Sequence, residues 1–252
     1  MLKLYKGVFA AYMITAFAGI IAMCVILQGK GTAAGILLLL LTFVWLFVCV
    51  VVFTAIANTK FGKIRVLFNH CRISESLAKY SALYAKSKDY GYNAMIIAYY
   101  ICSCYLALGK PDEAQKYLDK YELTFLPASK SALRSLWNIA KTEFCLQKGD
   151  LDGAEQALAE QEKALLLGTF SSNLRLAYMH ELDMGKHYLA LARGEEGAIE
   201  YFEHELTVPI KDKAREVPIR NVKIKYSLAV AYEKLGETEK AREYYDFAAK
   251  NG

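Results

Sequence analysis

No acidic residue occurs before Glu75, and within the first 58 residues only Lys3, Lys6 and Lys30 carry charge. Behind this front end the charges crowd together: 28 of the 31 Lys and Arg and all 26 Asp and Glu lie beyond residue 58. A chain so divided is an apolar leader joined to an ordinary globular rear long enough for its own core. The pattern excludes a secreted disulfide scaffold, a collagen-like chain and a disordered one.

Two uncharged runs fill the front, one over residues 7–28 and one over 33–57. As helices they measure about 33 and 37 Å, enough for a hydrocarbon core of about 30 Å. Neither run alternates with period two, so helix is the expected form in lipid. The expectation is a transmembrane hairpin turned by Gly29-Lys30-Gly31-Thr32. Lys3 and Lys6 precede it, and Lys60, Lys63, Arg65 and Arg72 follow it. The positive-inside rule then places both termini and the rear in the cytoplasm of a multi-pass cell-membrane protein. A signal peptide is the weaker reading, because the first run is too long and a second follows at once. Ile21-Ala22-Met23-Cys24 departs from a lipobox at Met23.

Ala11, Thr15 and Gly19 recur every four residues in the first run. Small residues at that spacing let helices approach closely, within the hairpin or between copies of the chain. Neither run holds an ionisable residue of the kind pumps and ion pathways use. The expected role of the front is anchoring.

The rear carries one punctuation four times: an apolar stretch, a break at glycine, then a small residue opening another amphipathic stretch. The breaks fall at Gly109, Gly149, Gly194 and Gly236, and aligning Ala114, Ala154, Gly197 and Ala241 gives intervals of 40, 43 and 44 residues. Glycine suits a helix C-cap, and a unit of this length reads as a pair of helices. Leu228, Tyr232 and Leu235 hold helical spacing before the last break; Ala241, Tyr244, Tyr245 and Ala248 hold it after. Leu118, Leu158, Tyr201 and Tyr245 stand one turn beyond the small residues and fill the gap between units. Each pair leaves an apolar face open, so neighbours must stack. Residues 59–91 carry the stripe Ile73, Leu77, Tyr80 and Tyr84 and are expected to cap the first unit. A second stripe, Ile64, Leu67, Phe68 and Cys71, lies beside basic residues that suit packing or anionic headgroups.

These units resemble the tetratricopeptide repeat, W-x2-L-G-x2-Y followed by A-x3-F and a closing proline. Met184-Gly185-x2-Tyr188, Gly197, Tyr201 and Pro209 fit it well, and Leu228-Ala229-x2-Tyr232, Ala241 and Tyr245 repeat the fit. Ile101-Cys102-x2-Tyr105, Ala114 and Leu118 form another match, whereas Lys141 and Thr142 replace the usual Leu-Gly in the second unit. No unit has the family's tryptophan, and the intervals exceed its 34 residues. The expected fold is therefore all-α: a transmembrane helical hairpin over 1–58, a capping segment over 59–91 and a solenoid of about four helical hairpins over 92–252. The resemblance implies a concave groove lined by Ile96, Tyr99 and Ser103, by Leu136, Ile139 and Glu143, by Leu182 and Lys186, and by Lys223, Tyr226 and Val230.

Catalytic signatures such as G-x-S-x-G, a Gly-rich phosphate loop, H-E-x-x-H or C-x-x-C are absent from the sequence. Cys102 and Cys104 stand two apart, so on a helix they point about 200° apart, which does not suit a shared metal. His180, Asp183 and His187 share one helical face and are the only constellation with acid–base or metal-binding chemistry. Lys211, Lys213, Arg215, Arg220, Lys223 and Lys225 outnumber Asp212 and Glu216 in a stretch that suits an acidic peptide or a solvated connection. Residues 75–252 are net acidic, which argues against nucleic acid. The expectation is a non-enzymatic, membrane-anchored scaffold without cofactor or metal, gripping polypeptide segments in its groove. The runner-up is an accessory subunit of a membrane enzyme or transporter, held through the hairpin.

Overall fold

The computed structural model describes residues 61–87, 91–121, 131–208 and 218–252, with helical positions 40, 42–45, 47 and 48 in the front end. The chain divides into two compact units, Met1–Lys63 and Ile64–Gly252. In the first, Leu40, Phe43, Val44, Trp45, Phe47 and Val48 are exposed.

The expectation of a transmembrane hairpin, and of a multi-pass membrane location with it, is corrected. Among the described residues no helix is long and apolar enough to cross a membrane. Such a crossing needs about 20 consecutive apolar residues. In the second unit the long helices are polar and the apolar one is short. A 22-residue helix over Ser172–Arg193 carries Glu181, Asp183 and Lys186. The apolar helix over Tyr92–Ala107 has 16 residues, and packing against neighbouring helices consumes its surface. The expected spans over 7–28 and 33–57, and the stripe Ala11, Thr15 and Gly19, lie outside the described residues except for the helical positions already named.

The second unit is helical, with no strand among the described residues. It opens on helical residues 64–69, and α1 (Ile73–Tyr84) follows. Then come α2 (Tyr92–Ala107), α3 (Pro111–Lys120), α4 (Ser131–Lys148), α5 (Leu151–Leu167), α6 (Ser172–Arg193), α7 (Ala198–Thr207), α8 (Pro218–Lys234) and α9 (Thr238–Asn251). The pairs are α2/α3, α4/α5, α6/α7 and α8/α9. Each later first helix also touches the first and second helices of the preceding pair. Helix α1 packs on α2 as each of α3, α5 and α7 packs on the helix that follows it.

One turn closes every pair. At Gly194 (φ 74°) the glycine N–H donates to the Leu191 carbonyl at 3.1 Å, and the Glu195 N–H donates to the Ala190 carbonyl at 3.0 Å. This double bond set terminates a helix by satisfying its last carbonyls, and it needs a left-handed residue. The same two bonds recur at Gly109, Gly149 and Gly236. They also recur at Cys71, whose N–H donates to the Phe68 carbonyl at 3.0 Å while the Arg72 N–H donates to Leu67 at 2.9 Å. Cys71 holds φ 59°, a conformation that costs a non-glycine residue about 1–2 kcal/mol. The segment expected as a cap therefore contains a helix pair closed by the turn of the other four. Ser76 ties that pair together, its hydroxyl donating to the Ile64 carbonyl at 3.3 Å.

The cores run in series. Met95, Ala98, Tyr121, Leu133 and Trp137 fill the junction of α2, α3 and α4. Cys145, Ala154, Leu158, Leu165, Tyr178, Leu182 and Leu189 fill that of α4, α5 and α6. Met184, Leu191, Ala198, Phe202, Ile224, Leu228 and Tyr232 join α6 and α7 to the last pair. Small residues open the second helices because the first helix lies close: Ala114 and Ala154 are fully buried. In the third pair this position is Ala198, not Gly197, which caps α7 at φ 81°. The large residue one turn later is correspondingly Phe202 rather than Tyr201. Gly185 marks a close approach of α6 to α5, since a Cβ there would stand 2.7 Å from Leu158 Cδ2.

Candidate functional site

The inner face is defined by one ion pair. Lys223 Nζ of α8 donates to Glu143 Oε1 of α4 at 2.7 Å, eighty residues away in sequence. Helices in contact lie about 8–10 Å apart, and a flat row would put α6 between these two. The pair forms because the row curves and brings α8 back toward α4. Both side chains are half-buried.

The curve gathers groups from all four first helices. Tyr99 of α2 lies within electrostatic reach of Glu143 and Glu181, with the Ser103 hydroxyl bonded to it. Tyr188 of α6 senses Glu143, Glu181 and Arg220. Burial holds the hydroxyl pKa of both tyrosines well above the ordinary value, and the neighbouring carboxylates add to it. Both phenols therefore stay neutral.

Glu181 has the most telling surroundings. Its side chain is open to water, yet surrounding protein desolvates the carboxylate and raises its pKa. Glu143 adds to that rise, while His180, Lys223 and Arg220 oppose it. Arg220 is not available to neutralise Glu181, because its guanidinium is bonded to the Glu205 carboxylate and lies 3.5 Å from the Glu205 carbonyl.

A raised carboxylate pKa means that the folded state holds its proton more tightly than the unfolded one. Stability from this group is thus greatest in acid and is lost as pH rises from the ordinary value of 4.5 through the higher folded value. Glu181→Gln is expected to be more stable than the parent at pH 7, with the gap closing toward pH 4. Urea midpoints of both proteins across that range check this; a pH-independent gap rules out a desolvated carboxylate.

The expected groove residues divide into two sets. Tyr99, Ser103, Glu143 and Lys223 meet in the hollow. Ile96, Leu136 and Ile139 are half-buried against the first two junctions. Leu182 is 8% exposed and belongs to a core. Lys186 turns to α5, where Glu162 Oε1 lies 3.2 Å from it. Tyr226 is exposed with its ring edge-on to Tyr245 of α9, and Val230 is half-buried. Glu181 and Tyr188 stand outside the expected groove positions, although Tyr188 is the motif's own tyrosine. Their seven-residue spacing, two helical turns, is the signal that places them on one face.

The remaining sequence candidates are accounted for by local contacts. His187 stacks on Tyr201 with ring centroids 3.4 Å apart. Asp183 Oδ2 accepts from the Tyr201 hydroxyl at 2.9 Å, and its other oxygen lies 3.9 Å from His187 Nε2. His180 stands apart from this trio, its charge acting on Glu181. Among the described residues no group of three or more His, Cys, Asp or Glu is placed to hold a metal. Cys102 and Cys104 point to different helices, toward the Ala114 carbonyl at 3.8 Å and the Ser76 hydroxyl at 3.9 Å. Burial pushes both thiols up to about 12. Of the basic stretch, residues 209–217 lie outside the described residues. Arg220 and Lys223 are paired, and Lys225 lies 3.8 Å from the Phe247 ring centroid.

A cleft of about 530 Å³ opens elsewhere on the last two pairs, between Ile199, Glu200, Glu203, Tyr232, Lys240, Glu243 and Tyr244. Glu203 is satisfied within it by the Tyr232 hydroxyl at 2.8 Å and the Tyr244 hydroxyl at 2.9 Å. No family model, no curated protein and no solved structure matches the chain.

Proposed function

We propose that the second unit is a non-enzymatic protein-interaction module of the tetratricopeptide type, receiving a segment of a partner polypeptide in the hollow between α2, α4, α6 and α8. The observation that carries this reading is the curvature reported by the Lys223–Glu143 pair. A curved row of first helices gives a continuous inner surface on which an extended or helical segment touches several units at once. The four recurring turns and the small residue that opens each second helix support the family resemblance. The lining suits the role: aromatic rings supply area at little entropic cost, and sparse charges supply register.

A photo-crosslinking residue placed at position 181 of the full chain tests the reading against one at Lys163, which is exposed on α5. Discrete protein adducts are expected from position 181 in the native cell and not from 163. Adducts confined to 163, or equal at both, move the interaction off the inner face.

A further inference from the structure

We infer that the hollow takes a basic side chain, lysine or arginine, from the partner segment, and that Lys223 is the resident cation which that side chain displaces. This rests on the reading of the hollow as a polypeptide site and names the chemistry of its occupant.

Three observations lead here. The first is charge bookkeeping. Glu205 is taken by Arg220 and Glu143 by Lys223. Glu181 is left with no hydrogen bond from a described side chain and with a desolvated carboxylate. Lys223 and Arg220 are both engaged, the third group acting on Glu181 is its helix neighbour His180, and one carboxylate is left without a hydrogen bond, so the hollow complements a positive group rather than a negative one. The second is the resident itself: a primary ammonium of this chain already sits in the hollow, 2.7 Å from a carboxylate. It shows that the space accepts an alkylammonium. The third is the wall. Tyr99 and Tyr188 are held neutral by burial beside the same two carboxylates. Aromatic rings next to carboxylates favour organic cations through ring quadrupoles and charge-assisted hydrogen bonds.

The geometry also gives the exchange a consequence within the fold. A partner's ammonium held between Glu181 and Glu143 competes with Lys223 for the Glu143 carboxylate. Occupancy therefore releases α8 from α4, and the brace and the partner are alternatives.

The test uses the full chain and two fluorescein-labelled 13-residue peptides of alanine, leucine and glutamine. One has a central lysine, and its twin has norleucine there. Fluorescence anisotropy is expected to show the lysine peptide bound about fivefold more tightly than its twin, the scale of one charge-assisted contact. Lys223→Met removes the competitor and is expected to widen that preference to about tenfold or more. Glu181→Gln is expected to reduce it to about one. Its fold is checked by the urea midpoint at pH 7, where it is expected to match or exceed the parent's. Equal binding of the two peptides overturns the cation inference while leaving the inner face as a polypeptide site. A preference that survives Glu181→Gln overturns it as well, because another group then supplies the charge. Failure of both peptides to bind the parent and Lys223→Met overturns the inference together with the reading of the hollow on which it rests.

Discussion

Phe202→Ala is expected to lower the unfolding free energy by about 3–5 kcal/mol, the range for truncating a buried phenylalanine. Phe202 is fully buried. Its ring lies 4.5 Å from that of Tyr188 and edge-on to those of Tyr201 and His187. Helix α7 has only ten residues and buries only Ala198 and Phe202 among them. Removing the ring leaves α7 with Ala198 and the partly buried Ile199, Tyr201 and Leu206 to hold it, and opens a void where α6, α7 and α8 meet. A domain of this size is typically stable by about 5–15 kcal/mol, so the variant is left near the edge of folding. Urea unfolding followed by circular dichroism measures the change. A loss below about 1 kcal/mol is incompatible with the packing described for this junction.

Trp137→Ala is expected to cost a similar amount, about 3–5 kcal/mol, at the opposite end of the row. Trp137 is 1% exposed and meets Tyr121 and Tyr99 at ring-centroid distances of 5.6 and 6.4 Å. A second variant separates its contributions. The indole Nε1 is buried without a hydrogen-bond partner, and an unmade bond of this kind costs about 1–3 kcal/mol. Trp137→Phe gives up area but removes that cost, so it is expected to lose far less than the alanine variant. Equal losses in both variants mean that the indole N–H is satisfied in solution. Because Tyr99 leans on this ring, Trp137→Ala also loosens one wall of the hollow. Tyr99→Ala is a poor probe of binding for the same reason, since it strips the junction as well as the inner face.

The repeat was legible wherever its chemistry is forced. A left-handed residue must end each first helix, and at Gly109, Gly149, Gly194 and Gly236 the chain uses the residue that adopts this most cheaply. The pair closed at Cys71 escaped notice because a cysteine does the same work there at a conformational cost. In the third unit, Gly197 imitates the small residue that belongs at Ala198. The groove positions carried over to α6 likewise selected Leu182 and Lys186, whereas Glu181 and the motif's own Tyr188 are the α6 groups within electrostatic reach of Glu143. The Lys223–Glu143 pair was beyond any local pattern, because periodicity reports which face a residue occupies and not how far a row of helices bends. The front end taught the opposite lesson. Length and apolarity alone suggested a crossing of the bilayer, but among the described residues no helix combines the two.

In a simple stack of paired helices, each unit feels only its immediate neighbours, and slack accumulates along the row as in beads on a cord. The tie between Lys223 and Glu143 skips a unit and turns that cord into a drawn bow. The pull of that string is modest, about 1 kcal/mol or less for a partly exposed pair, so cutting it at either end loosens the third pair without unstringing the row.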